Sequence, residues 1–493
     1  MELIQKELNI ERIVLSENAQ VQVAGDVPVL EGRSARSIID ASASVAVQNA
    51  ELIGDSLKIV GTVKIDAVCA DGQNEYFSFT SSAPLMHTMP YRELTPTSRI
   101  NVRPTVQSFI IRPGDSVLSF DATIELVCTA TDSAPIHVLS AICGIDDMEC
   151  KCQKLKLASR THIGTGRLRL REELEAKGIN AIMASNGYAI CDSVICSADG
   201  AQVKGRIVVS ALASDKDSRL SQLTEEIGFD ELIPVQTFTH SPVATAELES
   251  ISMRPLSDEF GLVSVEAIIL IDIEENSEKE CELPIDAYSP TVSFDPKLTK
   301  LDLPLPCEMI SARRTVKERI ALVEGLPSLS RPVYASAKPL VTMSYADGND
   351  LTIEGVLLTR IVYESESGSV YSFIEDIPFV ATVECSKFPC EPVAAVNCCA
   401  KITNSGERWV EVVFTIDMLT KLNCDVEIET IVGFEECPDT VCEQKGILIY
   451  AARPGDTVFD IAKHLRVPQS LVKESCPSKD SFEGSEKIVV FKA

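Results

Sequence analysis

The densest cluster of side chains that could do chemistry is a group of cysteines and carboxylates in the first third of the chain. It comprises Cys143, Asp146, Asp147, Glu149, Cys150 and Cys152. Thiolates and carboxylates are zinc ligands, and two thiols can be oxidised to a disulfide. The sequence leaves a zinc site, a disulfide and a loop with incidental thiols open, and it favours the loop.

Three further cysteine pairs each enclose four residues. They are Cys191/Cys196, Cys385/Cys390 and Cys437/Cys442. This spacing is compatible with disulfides at the ends of hairpins under oxidising conditions. The chain has 17 cysteines, an odd number, and many lie in apolar, strand-like stretches, as Cys69 and Cys128 do. Because a thiol in such a place acts as a small hydrophobe, we predict mostly reduced cysteines.

Signatures of catalysis are missing from the sequence. There is no Walker loop, no Gly-x-Ser-x-Gly, no His-Glu-x-x-His and no dinucleotide-binding glycine fingerprint. The five histidines are scattered, and none has a metal-ligand partner at helical spacing. Acidic pairs such as Glu225-Glu226 lie in polar stretches typical of a solvated surface and not of an acid/base dyad. We therefore predict that the chain is not an enzyme and has no cofactor and no metal site.

The last 48 residues combine a turn, a helix cap and two short helices. Arg453 to Asp456 form the predicted turn, and Thr457 can cap the next helix with Asp460 in a capping box. An apolar stripe follows at helical spacing, made of Val458, Ile461, Ala462 and Leu465. The predicted order is a strand at 447–450, this helix, a second helix at 469–474 and a strand at 488–491. Similar turn residues at Arg112 to Asp115 precede a strand-like alternation, which predicts a hairpin turn there.

This C-terminal segment resembles the LysM domain, through Tyr450, Pro454-Gly455-Asp456-Thr457, Val458 and Ile461-Ala462. The resemblance implies a small α+β module, ordered strand-helix-helix-strand, that binds N-acetylglucosamine-containing glycans in a shallow groove. Carried over, the groove residues are Gly455, Asp456, Thr457, Val458, Ser475, Cys476 and Pro477. Family members often have Asn after the second helix, where this chain has Glu474-Ser475-Cys476. An alternative is that Gly455, Asp456 and Thr457 serve only as turn and cap residues.

The remaining nine-tenths of the chain carries an internal repeat. Three segments centred on Gly61, Gly205 and Gly355 share one apolar alternation. At the same distance after each glycine lie Ala83-Pro84-Leu85, Ile227-Gly228-Phe229 and Ile377-Pro378-Phe379. A third match closes each copy, at 118–124, 263–269 and 410–416. Around Gly61 the apolar residues recur at every second position, which predicts a strand with one buried face that includes the glycine.

These patterns predict a mainly β chain with three β-rich, sandwich-like repeats followed by the small α+β module. The predicted domains are 1–143, 161–290, 305–432 and 446–493. The stretches 144–155 and 301–307 are predicted as connectors. Leu168 to Lys177 consists of helix formers and ends at Gly178, which predicts a helix, either at the entry of the second repeat or as a solvated linker.

The repeats resemble the SPOCS domain of spore-forming Firmicutes, most closely through Ile353-Glu354-Gly355, the Ser367-Gly368 turn and 371–379. SPOCS repeats followed by LysM are similar in architecture to the SipL family of spore-coat morphogenesis proteins. That resemblance implies a non-enzymatic scaffold or tether in spore coat assembly. It implies a location in the mother-cell cytoplasm at the forespore surface. It also implies binding to the stage IV coat-morphogenetic ATPase, with LysM implicated in protein contact.

Charge narrows the set of partners. The net charge is −28, but residues 446–493 hold seven Lys/Arg against six Asp/Glu and are slightly basic. An acidic surface repels phosphate backbones and anionic lipids, so we predict no nucleic-acid partner and no membrane insertion. The start of the chain has no signal-like apolar run, which predicts a cytosolic protein. A peptidoglycan-binding protein or wall hydrolase anchored by LysM, and a secreted glycan-binding adhesin, are the alternatives.

Overall fold

The computed structural model describes most of the chain. It covers residues 2–492 apart from 30–32, 72–74, 92–93, 96–97, 115, 144–145, 237–240, 258–260, 306–308, 386–390, 437–445, 478–480 and 485. These described residues form 21 strands and two short helices. Every pairing between strands is antiparallel, a few with bulges. The prediction of a mainly β chain is confirmed.

Residues 2–143, here called the first unit, form six strands. They are β1 (Glu2–Pro28), β2 (Ser37–Ile53), β3 (Ser56–Ala70), β4 (Tyr76–Pro90), β5 (Arg99–Arg112) and β6 (Val117–Cys143). Three of them pair as a β2-β3-β4 meander, and the other three pair in the order β1-β6-β5. The first strand of the unit therefore pairs with its last. β5 ends at Arg112 and β6 begins at Val117, and Asp115 of the turn predicted between them lies outside the described residues.

Residues 149–288, the second unit, repeat this pairing order. The strands are β7 (Glu149–Glu175), β8 (Ala181–Ser197), β9 (Gly200–Ser214), β10 (Leu220–Ile233), β11 (Pro242–Ser257) and β12 (Leu262–Tyr288). One sheet has the order β10-β9-β8 and the other β11-β12-β7.

Residues 294–436, the third unit, use the same order with a divided first strand. The strands are β13 (Phe294–Leu305), β14 (Met309–Ala321), β15 (Leu329–Asp347), β16 (Asp350–Ser365), β17 (Val370–Glu384), β18 (Glu391–Gly406) and β19 (Trp409–Glu436). Both β13 and β14 pair with β19, along different parts of its length, and β18 also pairs with β19. The central meander is β15-β16-β17.

The two sheets of each unit pack face to face. In the first unit, one buried cluster takes Ile59 and Leu85 from one sheet, and Phe120 and Ile124 from the other. Equivalent clusters fill the second and third units. Period-2 alternation gives each strand one apolar face, and two such faces exclude water only by covering each other. Each unit is therefore a small β-sandwich.

The central glycine of each unit lies where the opposite strand presents a large side chain. Gly61 pairs with Leu85, Gly205 with Phe229, and Gly355 with Phe379. A Cβ atom at Gly205 or Gly355 would come within 3.0 Å of the phenylalanine ring and of a backbone oxygen on the preceding strand. The glycines thus make room for the ring on the buried face, as the sequence pattern indicates.

The first and last strands of each unit run on beyond the sandwich as a two-stranded extension. In the second unit this extension pairs 149–161 with 275–288, and in the third it pairs 294–305 with 424–436. The three extensions contact one another. Leu157, Leu283 and Leu303 are among the buried residues between the second and third. The units are thus joined by packing as well as by chain connections.

Three local predictions were wrong. Leu168 to Lys177 is not a helix, because Leu168, Leu170 and Leu174 point at the sandwich core from strand β7. Long-range pairing with β12 overrides the helix propensity of this segment. The predicted connectors 144–155 and 301–307 are largely strand, since β7 begins at Glu149 and β13 continues to Leu305.

Most cysteines of the predicted cluster and pairs lie on strands or outside the described residues. Cys150 and Cys152 lie on strand β7 as exposed thiols and not in a loop, while the side chain of Cys143 lies outside the described residues. Cys191 is a free thiol, so it forms no bridge with Cys196. Cys390, Cys437 and Cys442 lie outside the described residues. Burial raises the pKa of Cys69 and of Cys191 to about 11, which leaves little reactive thiolate at neutral pH.

Candidate functional site

The C-terminal segment, here called the tail, folds around its own small core. Its elements are β20 (Gly446–Ala451), α1 (Val458–Leu465), α2 (Gln469–Ser475) and β21 (Lys487–Lys492). The two strands pair antiparallel, and Ile461, Val472 and Ile488 are buried between strands and helices. The elements follow one another in the order strand, helix, helix, strand.

The start of α1 is fixed by the predicted capping box. The Thr457 side chain accepts a hydrogen bond from the Asp460 backbone amide, and Asp460 Oδ2 accepts one from the Thr457 amide at 3.0 Å. Partial burial opposes ionisation of Asp460, but hydrogen bonds from Thr457 and Lys151 outweigh it and lower its pKa. Thr457 therefore serves helix initiation whatever else it contacts.

The turn before α1 holds the next two predicted groove residues. Gly455 has a φ of +91°, a left-handed conformation that favours glycine. Asp456 Oδ2 accepts hydrogen bonds from the Tyr450 hydroxyl at 3.0 Å and the Arg453 amide at 2.8 Å. Gly455 is exposed and Asp456 half-buried, so this turn is open to a ligand.

The turn is joined to the loop after α2 by backbone hydrogen bonds. The Gly455 amide donates to the Phe482 carbonyl and the Phe482 amide donates to the Asp456 carbonyl, both at 2.9 Å. Thr457 also forms a bridge with Ser481. The sequence prediction missed Ser481 and Phe482, because no local pattern marks a residue for pairing across a loop.

The other predicted groove residues are placed differently. Ser475 Oγ donates to the Val489 carbonyl at 2.7 Å, which ties the end of α2 to β21. Cys476 caps α2, and Pro477 is exposed. The side chain of Val458 is only 3% exposed and belongs to the tail core, so a ligand could reach only its backbone. Of the predicted set, the structure brings Gly455, Asp456 and Thr457 together in one turn.

The helical side of the tail packs against the far end of the second unit's extension. Tyr288 contributes most to this interface: its ring meets Phe459 edge-to-face at 5.2 Å between centroids, and its hydroxyl donates to the Val467 carbonyl at 2.9 Å. Tyr288 is also part of the buried cluster of the tail. Burial and the neighbouring Glu149 raise the pKa of Tyr288, so the hydroxyl keeps its proton.

Charged groups surround this aromatic contact. Lys463 Nζ lies 2.6 Å from Asp286 Oδ1, and Lys151 Nζ lies 3.1 Å from Asp460 Oδ1. The Gln469 amide at the start of α2 donates to Glu149 Oε1 at 2.8 Å. Opposite charges thus meet at the interface between the slightly basic tail and the acidic body. The tail is oriented by several independent contacts.

We expect Tyr288→Phe to loosen the tail. The change keeps the ring but leaves the Val467 carbonyl without its buried donor, a loss of about 1–2 kcal/mol. Local opening would then be roughly 5–30 times more frequent. Hydrogen exchange of residues 458–475 should accelerate by that factor. Tyr345→Phe is the matched control, since that hydroxyl meets only an exposed carboxylate at 3.4 Å; equal exchange in the two variants would contradict the docking role.

Comparisons with known proteins do not assign this chain to a class, so its class has to be inferred from its own fold and site. The chain matches no known protein-family profile, no curated protein and no solved structure. Among the residues that the structure describes, no three His, Cys, Asp or Glu side chains are grouped to hold a metal ion. No helix in the described part of the chain is long and apolar enough to cross a membrane.

Proposed function

We propose that this protein is a non-enzymatic scaffold or tether in spore coat or envelope assembly, with three SPOCS-like sandwiches as the body and a LysM-like tail as the recognition element. The observation that carries the proposal is the orientation of the tail. Its helical side is docked on the body, while the turn at Gly455 and Asp456 and the outer face of its sheet remain exposed.

The body supports a structural role. The same pairing order occurs in all three units, and a glycine opposite a large apolar side chain lies at the centre of each. In the third unit, this glycine and the residue opposite it, Gly355 and Phe379, belong to the segments that resemble the SPOCS domain. In this proposal the sandwiches hold the tail at a fixed distance and angle. Their acidic surfaces add weak contacts that together strengthen attachment.

The outer face of the tail sheet favours a protein partner. Four apolar side chains lie on it, with exposures of 63% for Ile447, 65% for Ile449, 37% for Val489 and 69% for Phe491. They form two cross-strand pairs, Ile447 with Phe491 and Ile449 with Val489. Contiguous exposed apolar side chains with an aromatic residue are typical of protein interaction sites. The partner proposed for this face is the stage IV coat-morphogenetic ATPase, and N-acetylglucosamine-containing peptidoglycan is the alternative ligand of the turn at Gly455.

Capture experiments separate these ligands. We expect the full chain to capture the ATPase from sporulating lysate. The variant Ile449→Thr/Phe491→Thr should bind the purified ATPase at least tenfold more weakly, and threonine keeps the strand propensity of both positions. Ile195→Thr/Val380→Thr is the control, because both residues are exposed apolar strand positions outside the tail, on β8 and β17. Capture that is equal for the tail variant and the control would count against the protein interface.

Two further measurements address glycan binding and catalysis. Titration with chitin oligomers should give the same affinity for the wild type and for Ile449→Thr/Phe491→Thr, because those residues lie outside the turn. If only the oligomers bind, the partner is peptidoglycan. Zymography on cell walls should show no clearing, and a clearing band would overturn the non-enzymatic proposal in favour of a wall hydrolase.

A further inference from the structure

A cavity of about 350 Å³ lies where the three units meet. The first unit contributes residues of β2, β3 and β5 to its wall, and the second contributes residues of β8 and β9. The third contributes residues of β15, β16, β17 and β18. Ile39, Leu212 and Tyr334, one from each unit, are buried together beside it. The cavity exists only when the three units are assembled.

Lys338 is the cavity's distinctive polar group. Its ammonium donates a hydrogen bond to the carbonyl of Val106, which belongs to another unit. Among the described residues, no carboxylate lies within ion-pair distance of Lys338. Burial lowers the pKa of Lys338 to about 8, which is the effect expected of an ammonium without an anionic partner.

Other charges in the wall are already compensated. Arg360 lies 3.2 Å from Asp40, and Asp66 lies 2.9 Å from Lys64. The uncompensated charge in the cavity is therefore one positive charge, on Lys338.

The rest of the wall is largely apolar. Its apolar side chains include Val106, Phe109, Val208, Leu358 and Ile374. Polar side chains, including those of Gln107 and Asn186, also line the cavity. A concave site that combines apolar side chains with polar groups is typical of small-molecule binding. Burying a lone ammonium is costly, and an anion in the same cavity would offset that cost.

We propose that this cavity binds a small molecule with one negative charge and an apolar body, of the class of medium-chain carboxylates, whose carboxylate meets the Lys338 ammonium. The apolar chain then lies against Phe109, Val208 and Leu358. Because the wall is shared, a bound molecule contacts all three units and stabilises their arrangement. This site is separate from the tail, so its occupancy does not depend on the proposed partner.

Titration of the full chain with sodium octanoate by calorimetry tests the site. We expect one octanoate per chain, and binding of octanol or octylamine at least tenfold weaker. Lys338→Met keeps most of the length of the side chain and removes the charge, so it should reduce octanoate affinity at least tenfold. Lys401→Met is the matched control, since Lys401 is exposed and lies outside this cavity.

The pH dependence gives a second readout that does not need a variant. Octanoate binding should be strongest below pH 8, where Lys338 is protonated. It should weaken as the pH rises above 8, because the Lys338 ammonium of the ligand-free protein then loses its proton. The titratable and charged groups that share the wall are Asp40, Asp66, Tyr188, Tyr334, Arg360, Cys398 and Cys399. Burial raises the pKa of both tyrosines and both thiols, that of Cys399 to about 11, so they stay neutral over this range.

Octanoate should also raise the thermal midpoint of the wild type and not that of Lys338→Met. Equal affinity for octanol and octanoate, unchanged octanoate binding by Lys338→Met, or a pH-independent affinity would each overturn the proposal. Absence of binding by the wild type at millimolar octanoate would do the same.

Discussion

Replacing Asp417 by alanine is expected to destabilise the second and third units by about 3–5 kcal/mol. Asp417 is 6% exposed and accepts two hydrogen bonds from Arg313, at 2.7 and 3.0 Å. It also accepts from Arg206 at 3.3 Å and from the Tyr188 hydroxyl at 2.9 Å, both on the second unit. Without the carboxylate, two guanidinium groups face each other across the interface. Glu226 remains as their shared partner on the rim, and Arg206 keeps its ion pair with Asp192.

The measurement is urea unfolding of the wild type and variants. Glu427→Ala serves as control, since Glu427 forms an exposed ion pair with Lys300 at 2.6 Å and its loss should leave the unfolding midpoint unchanged. Combining Asp417→Ala with Arg313→Met should recover part of the lost stability, because one of the orphaned charges is removed. A single variant that unfolds like the control would show that this cluster does not join the units.

Alanine at Gly205 or Gly355 is expected to lower the free energy of unfolding by up to about 3 kcal/mol. The new Cβ would overlap the phenylalanine ring opposite and a backbone oxygen of the preceding strand. That oxygen belongs to Ile190 for the Gly205 variant and to Leu340 for the Gly355 variant. Neither strand can move away without opening its sheet. At Gly61 the overlap with the Ala46 oxygen is at 2.6 Å, but the nearest side chain, Leu85, is 3.4 Å away and flexible, so the cost there should be smaller.

Gly228→Ala is the matched control. Gly228 lies on β10, next to Phe229 in the sequence, yet a Cβ there would meet nothing nearer than 3.8 Å. It should therefore leave stability unchanged or slightly improve it, because alanine restricts the unfolded chain. Adding Phe229→Leu to Gly205→Ala should relieve the ring overlap and restore part of the loss. Equal stability of the Gly205 and Gly228 variants would refute the close approach that the structure describes.

Local sequence patterns were sufficient for several features of this fold. Alternation of apolar residues predicted strands on both sides of Gly61, Gly205 and Gly355, because one buried face imposes that period on each strand. The capping box at Thr457 and Asp460 predicted the start of α1, since cap and partner are only three residues apart. In the site, the turn at Gly455 and Asp456 was predicted for the same reason, because the hydrogen bonds from Tyr450 and Arg453 to the Asp456 carboxylate join near neighbours in the chain.

The sequence prediction was wrong where local propensity and pairing between distant strands favour different structures. Residues 168–177 contain strong helix formers, but their leucines also lie at alternate positions, as in a strand. Pairing with β12 stabilises the strand over the helix. Long-range pairing also makes strands of residues 149–155, which pair with β12, and 301–305, which pair with β19, although their composition favoured connectors. Serine and phenylalanine at 481 and 482 carry no mark of their pairing with the turn before α1.

The sequence by itself determined the strands around the central glycines, the positions of those glycines and the start of the tail's first helix, because these follow from interactions within a strand, a turn or a helix. Only the tertiary structure decided that Tyr288 receives the tail, that Asp417 joins two units and that Lys338 lies in a shared cavity, with no carboxylate of the described residues within ion-pair distance. Each of these depends on side chains more than 100 positions apart that meet only after the sandwiches have packed, and no local spacing encodes such a meeting.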